Sequence, residues 1–138
     1  DRTQDDIYLE DYGKSTARLK RIFRHMKDLP MHVVVTALQK RVMPPNAQNL
    51  TNPQPKWVGP QLTEKLANSL MGYMDCVWYY YIDETDDGPV RTLLTQKHGA
   101  FVAKTRGQSF SKALGVTVPN PNLGRIFDLL IETEVKAK

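Results

Sequence analysis

Two runs of strand-forming residues flank Asp86-Asp87-Gly88, and that arrangement restricts the fold more than any other feature of the chain. The first run, Asp75 to Asp83, holds Cys76-Val77-Trp78-Tyr79-Tyr80-Tyr81-Ile82; the second is Val90 to Thr95. β-branched and aromatic side chains suit a pleated, half-buried surface. Asp-Gly between two such runs is the turn chemistry of a tight hairpin. Alternation puts Val77, Tyr79 and Tyr81 on one face and Cys76, Trp78, Tyr80 and Ile82 on the other. Both faces are apolar, so the aromatics are expected in the core. Asp83, Glu84, Asp86 and Asp87 gather at the tip, where carboxylates serving solubility are a simpler reading than a metal site.

The segments before the hairpin read as helix, strand, loop and helix. From Tyr12 to Lys27, Leu19, Ile22, Phe23 and Met26 recur at helical spacing while the basic residues mostly fall elsewhere, the pattern of an amphipathic helix. Asp11 is placed to cap its start, and Pro30 stops it. His32 to Ala37, His-Val-Val-Val-Thr-Ala, predicts a buried strand of a parallel sheet. Val42 to Gly59 then forms the longest irregular stretch, with Pro44, Pro45, Pro53 and Pro55 among Asn and Gln. Long loops of this kind are functional or disordered. Pro60 suits the first turn of a helix, which Leu62, Leu66 and Leu70 continue to about Gly72. After the hairpin come a short strand, Ala100 to Lys104, then loop, a helix over Leu123 to Ile131, and a charged tail, 132–138. The chain reads as a single domain over 1–138 of mixed α/β class: a parallel strand flanked by helices plus a C-terminal antiparallel hairpin.

The 138 residues suffice for one buried core. No apolar run reaches the roughly 20 residues needed to span a bilayer, so no membrane contact is expected. The polar opening Asp1-Arg2-Thr3-Gln4-Asp5-Asp6 predicts no secretory leader, and the absence of an initiating Met is expected of a cut or trimmed start. The single cysteine, Cys76, has no internal disulfide partner and fits a buried, inert thiol in a reducing compartment. The net charge of +4 is unevenly spread. Residues 1–11 are acidic overall, whereas Lys14, Arg18, Lys20, Arg21, Arg24 and Lys27 follow one another with no carboxylate between them. That block suits nucleic acid, an acidic partner or plain water.

Several chemistries leave no trace in these residues. There is no Gly-x-x-x-x-Gly-Lys-Ser/Thr to cradle a phosphate, no paired Cys or His spacing for zinc, and no Gly-x-Ser-x-Gly nucleophile elbow. The order of segments is more telling. Tyr12-Gly13-Lys14 with Leu19 to Arg24, then Asp28-Leu29-Pro30-Met31-His32-Val33-Val34-Val35-Thr36-Ala37, Lys65-Leu66-Ala67, Gly72-Tyr73-Met74-Asp75 and Val102-Ala103-Lys104-Thr105-Arg106 follow in sequence. This succession resembles the second half of RecA-fold ATPases, most closely the phage-encoded nucleotide-binding proteins of recombination and single-strand annealing. The likeness extends to about residue 131.

The resemblance implies roles for particular residues. The strand His32 to Ala37 would end in groups that sense the γ-phosphate, which makes Thr36 and Gln39 the candidates; Ala37 and Leu38 stand where the usual Asn-Gln pair would be. The following loop contacts single-stranded DNA in recombinases, so Lys40, Arg41 and Lys56 would neutralise phosphates and Trp57 would stack on a base. Lys104-Thr105-Arg106 matches the Lys-x-Arg element of hexameric relatives such as DnaB-type helicases, whose cations reach a nucleotide held by the neighbouring subunit. ATP and Mg are implied only for a complete core, and none for this chain alone. Expected partners are single-stranded DNA and either further copies of the chain or a missing N-terminal segment, in the cytoplasm of a bacterial host. A lone parallel strand would also expose an edge that invites association.

Overall fold

A computed structural model of the chain describes residues 9–136. The acidic opening run, residues 1–6, and the last two residues of the tail lie outside the described residues. The chain forms two compact units: residues up to 37 together with 62–74, and residues 38–61 together with those from 75 onward.

The first unit contains two helices, α1 (Leu9–Lys27) and α2 (Glu64–Tyr73). Leu19, Phe23 and Met26 form the half-buried stripe of α1, and its basic residues occupy the rest of the cylinder. The helix begins before Asp11, so that carboxylate lies inside the first turns and forms an ion pair with Lys14 at 3.9 Å, in place of the expected cap. α2 also starts later than expected. Pro60 ends a strand, Thr63 is the N-cap, and Leu66, Ala67 and Leu70 are the buried positions. Arg24 joins the two helices: its Nε donates to Tyr73 Oη at 3.1 Å, and its guanidinium carbon lies 5.4 Å from the centre of the Tyr73 ring.

The segment His32 to Ala37, expected as a buried parallel strand, has no ladder, and Val34 and Val35 stay 56% and 45% exposed. β-branched residues favour extended backbone, but a strand exists only where a neighbour takes up its N–H and C=O groups. No strand among the described residues does so here. The mixed α/β class holds; the paired strands are antiparallel, and the one parallel bridge among the described residues joins Val58 to Phe101.

The second unit holds the sheets and the main core. β1 (Gln39–Val42) and β2 (Trp57–Pro60) form a hairpin in which Lys40 faces Gly59 and Val42 faces Trp57. The Pro-rich stretch expected as loop from Val42 to Gly59 is therefore strand at both ends, and its middle carries a single 3-10 turn, Ala47–Asn49. Val58, fully buried, also bonds a neighbouring segment: its N–H donates to Ala100 O and its carbonyl accepts from Val102 N–H, each at 2.9 Å.

The central hairpin forms as the turn chemistry predicts. β4 (Tyr79–Thr85) pairs with β5 (Gly88–Leu94), Thr85 opposite Gly88, leaving Asp86-Asp87 as a two-residue turn. Gly88 has φ of 107°, a conformation few other residues adopt. The run expected to be continuous from Asp75 breaks at Trp78. β3 (Cys76–Val77) leaves the hairpin and pairs with β6 (Lys104–Thr105), which replaces the strand expected over Ala100 to Lys104.

Two elements were not foreseen, α3 (Gln108–Leu114) and β7 (Thr117–Pro119), the latter completing the sheet order β4-β5-β7. α4 (Leu123–Lys136) runs five residues beyond Ile131, so most of the expected tail is helix. Asn122 caps it, its Oδ1 accepting from Arg125 N–H at 3.1 Å. Leu93, Phe110, Leu114 and Ile126 form the core, with Cys76, Trp78, Val118, Leu129 and Leu130 against it. The helices cover Leu93, but its cross-strand neighbour Tyr80 is 53% exposed and Ile82 59%, contrary to the expectation of a wholly buried aromatic run. On the other face Tyr79 is covered, stacked on Tyr81 at 5.8 Å and tilted against Phe101 at 4.8 Å. No helix among the described residues is long and apolar enough to cross a membrane.

Candidate functional site

Lys104 and Arg106 owe their placement to the residue between them. Lys104 and Thr105 form β6 and Arg106 follows it; alternation sends Lys104 and Thr105 to opposite sides of the strand. The Thr105 hydroxyl accepts from Trp78 Nε1 at 2.9 Å and donates to Thr95 O at 2.9 Å. Thr95 is fully buried; its N–H donates to Val116 O at 2.9 Å, and its hydroxyl meets the carbonyls of Gly115 and Val116. A chain of hydrogen bonds thus runs from Trp78 through Thr105 and Thr95 into the turn between α3 and β7. It fixes the backbone that carries the two cations. Sequence reasoning missed Thr105 and Thr95, since their roles depend on partners 27 and 20 residues away.

Arg106 is tied down twice. Its N–H donates to Asp75 O at 3.0 Å, and its Nη1 forms an ion pair with Asp75 Oδ1 at 2.5 Å. Both side chains remain more than half exposed, at 55% and 64%, so the pair orients the guanidinium more than it stabilises the fold. Beneath it, burial pushes the Cys76 thiol above its ordinary value of 9.0, and a backbone contact from Arg106 opposes that shift more weakly. The thiol therefore stays protonated and inert at neutral pH.

The hairpin β1–β2 gathers the other expected residues. Lys40 and Arg41 lie on β1, Trp57 on β2, and Lys56 just before it, its N–H donating to Val42 O at 2.8 Å. All four belong to one hairpin, but the register puts Lys40 on the face of Trp57 and Arg41 on the other; Lys40, Arg41 and Lys56 are exposed. The Trp57 indole lies across Gly59, where a Cβ would come within 2.4 Å of the ring. Gln39 opens β1, and its Oε1 accepts from Tyr79 Oη at 2.8 Å. Thr36 lies on the exposed segment without a ladder. The acidic hairpin tip is part of no cluster able to hold a metal ion among the described residues.

No curated protein and no solved structure matches this chain. A family description does: that of the AAA domain matches residues 1–107, a stretch that includes α1, both hairpins and Lys104-Thr105-Arg106. The match covers well over half of the 138 residues, and the chain belongs to the AAA domain family of P-loop ATPase-like proteins.

Proposed function

We propose that this chain supplies the second half of a RecA-like ATPase core of the phage type, acting on single-stranded DNA during recombination in the cytoplasm of a bacterial host. The observation that carries this reading is the pair Lys104 and Arg106 on either side of Thr105, whose hydroxyl is anchored to Trp78 and Thr95. Phosphoryl transfer spreads negative charge over the transferred group's oxygens, and a rigidly presented guanidinium stabilises that charge bidentately. An arginine presented this way suits a nucleotide held by a neighbouring copy. The 138 residues hold no Gly-x-x-x-x-Gly-Lys-Ser/Thr, so in this reading residues outside the sequence cradle ATP and its Mg. Thr36 is exposed and Gln39 already bonds Tyr79, so the reading leans on the two cations rather than on γ-phosphate sensing. Single-stranded DNA would meet the β1–β2 hairpin, with Lys40, Arg41 and Lys56 on phosphates and Trp57 on a base.

One observation favours a second reading. Arg106 is already paired with Asp75, as it would be in a non-catalytic binding module built on the same fold. ATP hydrolysis by the native gene product separates the two. The native product with Arg106→Ala should be inactive alone, yet regain activity when mixed with copies unable to bind nucleotide but carrying Arg106. Undiminished hydrolysis by the Arg106→Ala protein, or none by the native product, would leave the binding module standing.

A further inference from the structure

Helix α1 presents an unusual run of charge. Between Asp11 and Asp28 it has six lysines and arginines and no carboxylate. A helix that merely needs solvation usually interleaves acids and bases three or four residues apart, because those positions are neighbours. Here the neighbours are like charges: Lys14 with Arg18, Arg18 with Arg21, Lys20 and Arg21 with Arg24, and Arg24 with Lys27. The ion pair of Lys14 with Asp11 at 3.9 Å lies at the far end of the helix from most of them. Such mutual repulsion weakens the free helix and is relieved when a polyanion binds.

Geometry supports the same reading. Ala17, Lys20, Arg21, Arg24, His25 and Asp28 recur at i, i+3, i+4, i+7, i+8 and i+11, and line one open cavity of about 630 Å³. Asp28 is the sole carboxylate in that lining. Arg24 is held in place before any ligand arrives, its Nε on Tyr73 Oη at 3.1 Å and its guanidinium against the ring. That bond uses one of its five N–H donors. From Arg18 to Lys27 the helix rises about 14 Å, enough for its cations to meet more than one phosphate of a strand.

We propose that the Arg18, Lys20, Arg21, Arg24 and Lys27 face of α1 binds the phosphodiester backbone of single-stranded DNA, in addition to the β1–β2 hairpin. The choice of a single strand rests on the function proposed above; the phosphate chemistry rests on the helix. A phosphodiester chain suits this face better than an acidic peptide because an unbroken row of cations matches a regular row of phosphates.

The test is a salt titration of oligo-dT binding by the full chain, without nucleotide, comparing the parent with the triple variant Arg18→Gln, Arg21→Gln and Arg24→Gln. The slope of log K against log salt should flatten by about 2, since each single-strand phosphate contact contributes roughly 0.7. Binding at low salt should weaken by at least about tenfold. The variant Arg18→Lys, Arg21→Lys and Arg24→Lys should retain most of the slope, and circular dichroism should show α1 intact in both. Equal slopes for parent and glutamine variant, or no binding by the parent, would overturn the proposal. So would poly-glutamate competing as well as the oligonucleotide, which would assign the face to an acidic protein. Because this assay needs no hydrolysis, its failure is distinguishable from failure of the Arg106 mixing experiment.

Discussion

The chain carries its positive charge in two contrasting settings. On α1 six cations line an exposed helix, and the half-buried stripe of Leu19, Phe23 and Met26 holds the helix without constraining most of them. At β6 and the residue after it, two cations flank a threonine bonded to Trp78 and Thr95, with Arg106 further tied to Asp75. The first arrangement suits a partner that is long, polyanionic and tolerant of position. The second suits a small charged group whose position must be met closely, as phosphoryl transfer requires. What separates them is how far the backbone and its neighbours have already fixed each side chain, not the amount of charge.

The comparison breaks most visibly at Arg106. On the proposed function, Arg106→Ala in the native gene product should lower the rate of ATP hydrolysis by on the order of 10³ or more, the effect of losing an arginine finger. The same change should barely move the melting temperature, because an exposed ion pair contributes only about 0.2–1 kcal/mol. Steady-state hydrolysis and a thermal melt on one preparation check both. A large stability loss with little kinetic loss would make the Asp75 pair structural.

Next in size is the core beneath that platform. Phe110 is 3% exposed among Leu93, Leu114 and Ile126, and Phe110→Ala should cost about 3–5 kcal/mol. Urea unfolding measures it. Leu19→Ala on α1, removing a side chain only half buried, should cost distinctly less. Equal costs would mean α1 is as firmly held as β6, and the contrast between the two settings would fail.

The parts of this architecture that sequence could reveal are those whose causes are local. Asp86-Asp87-Gly88 specifies its hairpin because the turn and its flanking alternation lie within a few residues. α1 was legible from its own periodicity. The segment His32 to Ala37 was misread because β-branching sets backbone preference, whereas a ladder needs a partner that the run itself cannot name. α3 was missed because seven residues rich in Ser, Gln and Lys leave almost no periodic signal. Its flanking Gly107 and Gly115, both with positive φ, and the i, i+4 pair Phe110 and Leu114 were the available clues. The cations Lys104 and Arg106 were singled out by resemblance. The hydrogen bonds that orient them were not, since Trp78, Thr95 and Thr105 meet only once the chain has folded.

Thr105 gives a smaller effect that sharpens the contrast. Thr105→Val keeps the shape of the side chain but removes its hydroxyl, leaving Trp78 Nε1 and Thr95 O without that partner. A cost of about 1–3 kcal/mol is expected for polar groups stranded in this way. Indole fluorescence together with denaturant unfolding checks it. If the anchor orients the cations, hydrolysis should fall as well; unchanged hydrolysis would mean that β6 pairing alone positions them.

Cys76 gives the smallest effect and reads the rigidity of the same platform, since it pairs directly with Thr105. Burial raises its thiol above 9.0 in the folded chain. Above that pH the unfolded chain loses the thiol proton while the folded chain still holds it, so rising pH draws the equilibrium toward the unfolded state. The contribution of Cys76 is therefore complete below about pH 9 and is lost as pH climbs through the higher folded value. Tyr81 is shifted the same way, by burial and then by the Asp83 carboxylate, but its change begins nearer pH 10. Measuring unfolding at pH 8 and pH 9.5 for the parent and for Cys76→Ala isolates the thiol: the parent should lose more stability between the two. Alkylation at pH 8 should likewise be slower than for a free cysteine. Rapid alkylation, with matching pH dependence in the two proteins, would mean that β3 and β6 open readily to solvent. A platform that opens so easily could not hold Lys104 and Arg106 any more firmly than α1 holds its own cations.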